Sequence, residues 1–205
     1  MLIDRKFRVA RIWSNSVLKE IAPKVSGRVV NVSGWKDDDK QGRKYKEYFT
    51  NSDDYTLTNY KSEARGFQGL PNEIFLDLQS EIGEDLRQKF DCVFNHTVLE
   101  HIENVQDAFA NLCSLSKDLV IVVVPFLQEQ HADYGDFWRF TPLTLKYLYK
   151  SNGLEPIYVN YNDDKRSSIY ILAVASRKPD QWTSIRSLGS NKLLKDGFIG
   201  KRIIS

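Results

Sequence analysis

The segment from Gln128 to Thr141 concentrates side chains that can do chemistry. Its histidine, His131, is of the type that titrates near neutral pH, so it could act as a general base toward a hydroxyl group. Asp136 and Arg139 are three residues apart and could form an ion pair that orders the segment. Alternatively, the fork of donors on Arg139 could bind a phosphate or carboxylate of a substrate. The ordering role is favoured, and binding of a substrate anion by Arg139 is the alternative.

Aromatic and further polar residues accompany these groups. Phe137, Trp138 and Phe140 could stack on the face of a sugar, but at least two of them are expected to be buried beneath the segment. Earlier in the chain, His101 is a second candidate base, as is Asp136 within the segment. Its neighbour Glu100 is expected to hydrogen-bond backbone groups and so to hold the shape of its loop.

The elements that must position these residues follow an α/β pattern. A helix is predicted from Val9 to Ile21, ended by Pro23. Seven apolar runs predict strands, at residues 27–34, 55–60, 74–78, 91–95, 119–126, 156–161 and 168–175. Further helices are predicted up to Leu86, after the N-cap Asn104, and from Thr141-Pro142 to Gly153. The order predicts a doubly wound sheet, mostly parallel, that closes with an antiparallel hairpin.

In such a sheet, ligands bind beyond the carboxyl ends of the strands. Ser33-Gly34, Asn59, Asp77 and Asn95-His96 lie near the ends of the first four predicted strands, and Pro125-Phe126 near the end of the fifth. The sequence therefore predicts a ligand site along this edge.

Composition excludes several classes of protein. The 205 residues are 41% hydrophobic and 27% charged, with a net charge of only +2, so there is no strong electrostatic case for nucleic-acid binding. Cys92 and Cys113 lie in apolar stretches and are expected to be reduced core residues. No spacing of Cys or His matches a metal-binding motif, so no metal site is predicted.

Targeting signals are also absent from the pattern. The charged N-terminus lacks the apolar run of a signal peptide, and the longest apolar stretch, Leu119 to Leu127, is far shorter than the roughly 20 residues of a transmembrane helix. A soluble, cytoplasmic protein is expected.

Two runs of residues resemble a known family. The stretch FDCVFNHTVLEHIENVQDAFANL (90–112) resembles class I S-adenosylmethionine (SAM) methyltransferases of the type 11 group, which carry FD-x-V, then LEH-(I/V) and a helix. The later run is similar to bacterial methyltransferases encoded with polysaccharide and O-antigen genes, which carry Pro-Phe, then His, then Asp-aromatic-aromatic-Arg-Phe-Thr-Pro. In this chain these residues are Pro125, Phe126, His131 and 136–142.

The resemblance covers roughly residues 25 to 176 and implies a Rossmann-like fold, SAM as cofactor and S-adenosylhomocysteine as product. It further implies methylation of a hydroxyl on a sugar or other small glycan-linked acceptor. Implied cofactor contacts are Asn31, Ser33 and Gly34 at the methionine end, Asn59 at the ribose, Asp77 and Leu78 at the adenine, and Asn95 and His96 beside the methyl-transfer site. The implied catalytic residues are His131, Asp136, Arg139 and His101.

The first half departs from the family pattern. The family's first strand usually ends in acid-x-Gly-x-Gly, and here the run is Asn31-Val32-Ser33-Gly34-Trp35. Asn59 stands where the second strand usually carries an acid. An amide can still bind but lacks charge, and charge-assisted hydrogen bonds are roughly twice as strong, so SAM binding is expected to be weaker by about 1–3 kcal/mol. Restoring acids at both positions is expected to tighten it.

The same departures support an alternative, a protein that keeps the fold, has lost catalysis and acts as a binding or scaffolding partner. A nucleotide-sugar enzyme is disfavoured because no Gly-x-Gly-x-x-Gly run occurs.

The chain is divided into a methyltransferase-like domain at residues 1–178 and a C-terminal extension at residues 179–205. The extension is basic and apolar, so it could lie on an anionic membrane, with the protein peripheral to the inner membrane, or bind a partner protein. Packing on the domain or at a homodimer interface is favoured. A small-molecule or glycan acceptor is the expected ligand.

Overall fold

A seven-stranded sheet organises the protein in the computed structural model, which describes residues 8–61, 66–131, 135–162 and 167–189. The strands are β1 (Gly27–Val32), β2 (Ser52–Asn59), β3 (Glu73–Phe75), β4 (Phe90–His96), β5 (Ser116–Leu127), β6 (Glu155–Tyr161) and β7 (Ile169–Ser176). The α-helices are α1 (Val9–Ile21), α2 (Val105–Ser114), α3 (Pro142–Ser151) and α4 (Thr183–Arg186). Single 3-10 turns lie at Ala22–Lys24, Tyr45–Tyr48, Leu99–His101 and Pro179–Trp182.

The strand order is β3-β2-β1-β4-β5-β7-β6. The first five strands in this order are parallel, and β7 runs antiparallel to both of its neighbours. The predicted fold, a mostly parallel sheet with an antiparallel C-terminal hairpin, is confirmed. The carboxyl ends of β1, β2, β4 and β5 consequently meet at one edge.

Two hydrophobic cores cover the two faces of this sheet. Alternate residues of β5 enter them, and Val120 packs with Phe109 of α2 and Tyr149 of α3. Ile121 lies on the other face, in the core that contains Leu18 of α1. Burial on both faces explains why β5 is a continuous β-branched run in the sequence.

The predicted helix ends are confirmed at three places. The Asn104 side chain accepts a hydrogen bond from the Asp107 N–H, and Thr141 caps α3 with Pro142 at its first position. Gly153 follows α3 with a φ of 72°, the left-handed conformation that glycine adopts without strain.

The helix predicted up to Leu86 is wrong. Residues 78–88 form turns and bends, with bonds from the Leu86 and Arg87 N–H groups to the Gly83 oxygen that start a helical turn. The turn does not continue because Gln88 has a φ of 47° and donates its N–H to the Ser114 oxygen. Within residues 79–88 the deeply buried side chain is Ile82, which is too small an apolar face to stabilise a helix.

The first part of the C-terminal extension packs on the domain. The Ile185 side chain is fully buried, and the Trp182 Nε1 donates to Asp118 Oδ2 at 2.8 Å. Residues 190–205, which carry most of the extension's basic and apolar side chains, lie outside the described residues, and so does the interaction predicted for them.

Two further expectations concern the cysteines and the membrane. Cys92 and Cys113 are buried free thiols, and burial raises the pKa of Cys113 to about 12. Within the described residues, the helices are all too short or too polar to cross a bilayer.

Candidate active site

The chain turns sharply where β1 ends. Ser33 and Trp35 have φ values of 56° and 51°, and the Gly34 N–H donates to the Thr58 oxygen of β2 at 3.2 Å. A Cβ atom on Gly34 would lie 2.5 Å from the Nδ2 of Asn31. Only a bare backbone therefore fits between the two strand ends, which leaves the Ser33–Gly34 peptide close to the edge where a ligand is predicted.

Asn31 is buried, with 1% of its surface exposed, and its Nδ2 donates to Asp37 Oδ1 at 2.7 Å. Asp37 also accepts hydrogen bonds from the Tyr55 hydroxyl and the Lys46 N–H. Burial raises the pKa of Asp37, although these hydrogen bonds favour its charged form. The acid missing from the end of β1 is thus replaced by an amide that contacts a carboxylate six positions later.

Asn59, at the end of β2, has a similar arrangement. Its Oδ1 accepts from the Trp35 N–H at 2.6 Å, and its Nδ2 donates to the Trp35 oxygen at 3.1 Å and to Glu73 Oε1 at 2.6 Å. Glu73 also accepts hydrogen bonds from the backbone N–H groups of Gln68 and Leu70. Partial burial would raise the pKa of Glu73, but its hydrogen bonds, led by the one from Asn59, lower it.

Asp37 and Glu73 were missed by the sequence interpretation. Their arrangement also changes the expectation that acids at Asn31 and Asn59 would tighten SAM binding. Each new acid would lie against an existing carboxylate, and like charges that close repel strongly.

Asp77 and Leu78 follow β3 beside the end of β2. Asp77 accepts hydrogen bonds from the Gln79 N–H and the Ser80 hydroxyl, so it caps a turn, and Leu78 is buried in the core. The Leu76 N–H donates to the Asn59 oxygen at 2.9 Å, which joins this turn to β2.

Asn95 and His96 point to opposite faces of β4. The Asn95 Nδ2 donates to the Val32 oxygen at 3.0 Å, and its buried Oδ1 has no hydrogen-bond partner among the described residues. His96 faces α1 instead, where its Nε2 lies 3.0 Å from the Ser14 hydroxyl and its Nδ1 3.3 Å from Arg11 Nη1. Burial, and then the Arg11 charge, hold the pKa of His96 well below its usual value. The structure therefore places Asn95 toward β1 but His96 in the contact with α1.

In the described part of the loop after β5, residues 128–131 and 135–141, Arg139 holds the backbone and Asp136, as predicted. All five of its N–H groups are used, by Asp136, the Trp138 oxygen, the Gln128 oxygen and the Glu129 oxygen. The hydrogen bond from Arg139 lowers the pKa of Asp136 to about 2. The ion pair is confirmed, and no donor remains on Arg139 for a substrate anion unless the loop opens.

His131 and His101 face each other across this loop. Their ring centroids are 5.2 Å apart, and His131 Nδ1 lies 3.2 Å from Asp136 Oδ2, an ion-pair distance without the geometry of a hydrogen bond. His101 Nδ1 donates to the Gly135 oxygen at 2.5 Å. All four residues predicted to be catalytic, namely His101, His131, Asp136 and Arg139, are therefore brought together.

Glu100 lies beneath them. Its backbone oxygen accepts from the N–H groups of Phe137 and Trp138, but neither carboxylate oxygen has a hydrogen-bond partner among the described residues. The side chain is fully buried, and burial raises the pKa of Glu100 to about 8. A hydrogen bond from the backbone N–H of Glu100 itself opposes this rise in pKa, so backbone hydrogen bonding by the carboxylate stays a prediction.

Comparison with known proteins adds the fold family. No protein-family profile matches the sequence, and a search of curated proteins found no match either. Solved structures do match: magnesium protoporphyrin IX methyltransferase from Synechocystis PCC 6803 with bound S-adenosylhomocysteine has a TM-score of 0.55 at 12% identity, covering 86% of this chain and 88% of that one. A putative methyltransferase from Bacillus halodurans C-125 has a TM-score of 0.58 at 11% identity, covering 79% and 97%. The fold is that of the class I SAM-dependent methyltransferases.

A third similar structure has a different acceptor. The 1,6-didemethyltoxoflavin-N1-methyltransferase of Burkholderia thailandensis, crystallised with 1,6-didemethyltoxoflavin and S-adenosylhomocysteine, has a TM-score of 0.53 at 12% identity, covering 80% of each chain. At such identities the likeness shows the methyltransferase fold alone.

The aromatic residues of the loop differ in their exposure. Phe140 is buried, but 54% of Phe137 and 41% of Trp138 are exposed, so the expectation that at least two of the three are buried is wrong. The Trp138 ring is held by its Nε1, which donates to the Ile102 oxygen at 2.9 Å. These two rings leave apolar surface beside the cluster of Glu100, His101 and His131.

Proposed function

We propose that the chain is a SAM-dependent methyltransferase that transfers a methyl group to a hydroxyl of a sugar or of another small glycan-linked acceptor. The observation that carries the proposal is a sheet of methyltransferase strand order with a sharp turn at Ser33–Gly34 directly beyond β1, at the edge where the strand ends meet. Backbone without a side chain is what close approach of a cofactor at this edge requires.

The residues at the strand ends fit SAM in chemical type. We expect its methionine end near Ser33 and Gly34, and its adenine near Asp77 and Leu78. Asn95 Oδ1, buried and without a partner among the described residues, can accept a hydrogen bond from an ammonium group. When bound, SAM supplies an activated methyl group together with its leaving group.

The ribose is assigned to Glu73 together with Asn59. Glu73 is half-buried at the edge and carries the charge that Asn59 lacks. A carboxylate with several acceptor sites can take ribose hydroxyls in addition to its present donors.

The acceptor is assigned to the loop after β5. The exposed rings of Phe137 and Trp138 suit stacking on a sugar face, and the ordered polar groups beside them suit proton removal. SAM, if bound at the strand ends, would supply the methyl group to an acceptor oxygen held by this loop, and its sulfur would keep the electron pair of the broken bond. The hydroxyl proton leaves to the protein, and His131 remains the base predicted from the sequence.

Calorimetric titration of the full chain with SAM and S-adenosylhomocysteine tests the cofactor assignment. One-to-one binding of either is expected, and Gly34→Ala should abolish it, since the new Cβ meets Asn31 and Leu57 at 2.5–2.6 Å. Gly83→Ala is the matched control, because a Cβ there would meet only the end of the Asp85 side chain.

Glu73→Gln provides a variant that keeps the shape. It should weaken binding by about fivefold to tenfold, as expected for loss of charge at about 1 kcal/mol. Full affinity in both Gly34→Ala and Glu73→Gln would overturn the placement of SAM.

A second candidate function rests on the asparagines. Because Asn59 is fully engaged within the chain, the protein could keep the fold as a binding or scaffolding partner without catalysis. Cofactor binding without turnover on any glycan or nucleotide-linked sugar would favour this second function.

A further inference from the structure

Glu100, His101 and His131 form a cluster that the sequence pattern did not predict. The first two belong to the 3-10 turn at Leu99–His101 after β4, and His131 belongs to the loop after β5. One donor atom from each residue, a carboxylate oxygen and two imidazole nitrogens, lies within 4.8 Å of the other two. Glu100 and His101 are consecutive, but His131 lies far from them in sequence, so no local metal-binding spacing could reveal the cluster.

Glu100 is the residue that calls for a ligand. It is fully buried, and both of its carboxylate oxygens lack a hydrogen-bond partner among the described residues. Its Oε1 lies 3.8 Å from His101 Nε2. A carboxylate buried in this way is costly unless an opposite charge lies beside it. The charges of Arg11 and Arg139 lower the pKa of Glu100, and a bound cation would add a positive charge in direct contact with its oxygens.

His101 is oriented as a metal-binding histidine would be. The Gly135 oxygen can only accept, so His101 Nδ1 carries the proton of that 2.5 Å hydrogen bond. In the neutral ring the lone pair is then on Nε2, the nitrogen that faces Glu100. A backbone carbonyl behind one ring nitrogen is the usual outer contact of a metal-binding histidine.

His131 also has an outer contact beside one ring nitrogen, in this case a carboxylate. Asp136 Oδ2 lies 3.2 Å from its Nδ1 and also accepts from its backbone N–H at 2.7 Å. Arg139 holds that carboxylate through two short hydrogen bonds. The imidazole is thus positioned by a chain of contacts, whereas the Glu100 carboxylate has no hydrogen-bond partner in the part of the chain that the structure describes.

We propose that Glu100, His101 and His131 bind a divalent transition-metal ion such as Zn²⁺. Two imidazoles and one carboxylate are a donor set typical of catalytic zinc and non-haem iron, with an open position for water or substrate. Metal–ligand bonds of about 2.0–2.1 Å require the donor atoms to approach one another by roughly 1 Å, within the range of side-chain rotation.

Metal binding at this site does not depend on the proposed function, but the chemical role given to the metal rests on the proposed function. An ion here would lower the pKa of an acceptor hydroxyl bound at the open position. His131 would then be a ligand, in place of the base predicted from the sequence.

The test uses the full chain, stripped with a chelator and titrated with ZnCl₂ by calorimetry. One-to-one binding is expected, and Co²⁺ should give a visible absorption band from a site with nitrogen and oxygen ligands. Glu100→Gln should weaken Zn²⁺ binding by more than about 100-fold, beyond the 10–100-fold typical of losing an outer contact. Glu103→Gln, an exposed acid three residues away, is the matched control and should bind Zn²⁺ like the wild type.

His131→Ala is the second variant, because His131 is partly exposed and its loss threatens the fold less. Absence of both zinc binding and the cobalt band in the wild type would overturn the site, as would equal affinity in Glu100→Gln and Glu103→Gln. Zinc binding without SAM binding would keep the metal site and reject the methyltransferase, whereas SAM binding without zinc binding would reject the metal site alone.

Discussion

Asn59→Asp is the perturbation that most directly tests the hydrogen-bonded pair of Asn59 and Glu73. The substitution replaces the Nδ2 that lies 2.6 Å from Glu73 Oε1 with a second carboxylate oxygen, at a position only 1% exposed. It also removes the hydrogen bond to the Trp35 oxygen. We expect a large loss in the free energy of unfolding from an otherwise nearly isosteric change.

The magnitude follows from the geometry. Two unit charges 2.6 Å apart repel by about 6 kcal/mol at an effective dielectric constant of about 20. The repulsion is avoided if one of the two carboxyl groups takes up a proton. Holding a proton at pH 7 on a group with an ordinary pKa near 4 costs about 4 kcal/mol, so this cost is an upper limit on the destabilisation by charge. Two lost hydrogen bonds add about 1 kcal/mol each, and solvent around half-buried Glu73 reduces the repulsion. The expected net loss is about 3–5 kcal/mol.

The double variant Asn59→Asp, Glu73→Gln exchanges the acid and the amide and supplies the control. It restores one carboxylate and one donor, so its stability should return to within about 1.5 kcal/mol of the wild type, a coupling typical of contacting residues. Urea unfolding at pH 7 measures both variants. The single variant should also recover as the pH falls toward 4, because its shared proton binds more tightly in the folded state. A loss below about 1 kcal/mol, or a double variant no better than the single one, would refute the pairing.

Three further predictions concern histidine and arginine. The pKa of His96 is depressed in the folded state, so below about pH 6.5 only the unfolded chain takes up a proton on this histidine. The free energy of unfolding of the wild type should therefore decrease as the pH is lowered through this range. Urea unfolding of His96→Asn should show a smaller dependence on pH. Arg139→Lys cannot supply five donors and should lower the melting temperature by about 4–8 °C for a loss of about 2 kcal/mol, while an unchanged melting temperature would contradict the ordering role. His131→Ala should cut turnover by about 100-fold with SAM affinity unchanged, and full turnover at every pH would exclude His131 as base or ligand.

The fold was largely predictable because its signals are local. The caps at Asn104 and Thr141 and the continuous apolar run of β5 lie within single elements, and each was read correctly from the sequence. The helix predicted up to Leu86 failed because Gln88 bonds to the end of α2, a contact that is distant in sequence. Only the folded chain decides such a competition between local propensity and long-range contact.

The candidate site was predictable by position but less so by role. The strand ends identified the edge, since parallel strands bring their carboxyl ends together. The loop after β4 and the loop after β5 contact each other through hydrogen bonds from the Phe137 and Trp138 N–H groups to the Glu100 oxygen. This contact determines the surroundings of Glu100 and the exposure of Phe137. No periodicity in the sequence of either loop predicts the contact between them.

The hydrogen bonds of Asn59 indicate a structural role in place of the ribose contact predicted from the sequence. Both hydrogens of its Nδ2 are used, by the Trp35 oxygen and Glu73, and its Oδ1 accepts from the Trp35 N–H at 2.6 Å. Such an amide holds the turn after β1 against β2 and has at most one acceptor site left for a ligand. Glu73 has two oxygens with about four acceptor sites for its donors from Asn59, Gln68 and Leu70. Glu73, at the start of β3, therefore carries the negative charge that we propose binds the ribose, while Asn59 holds the turn after β1 against β2.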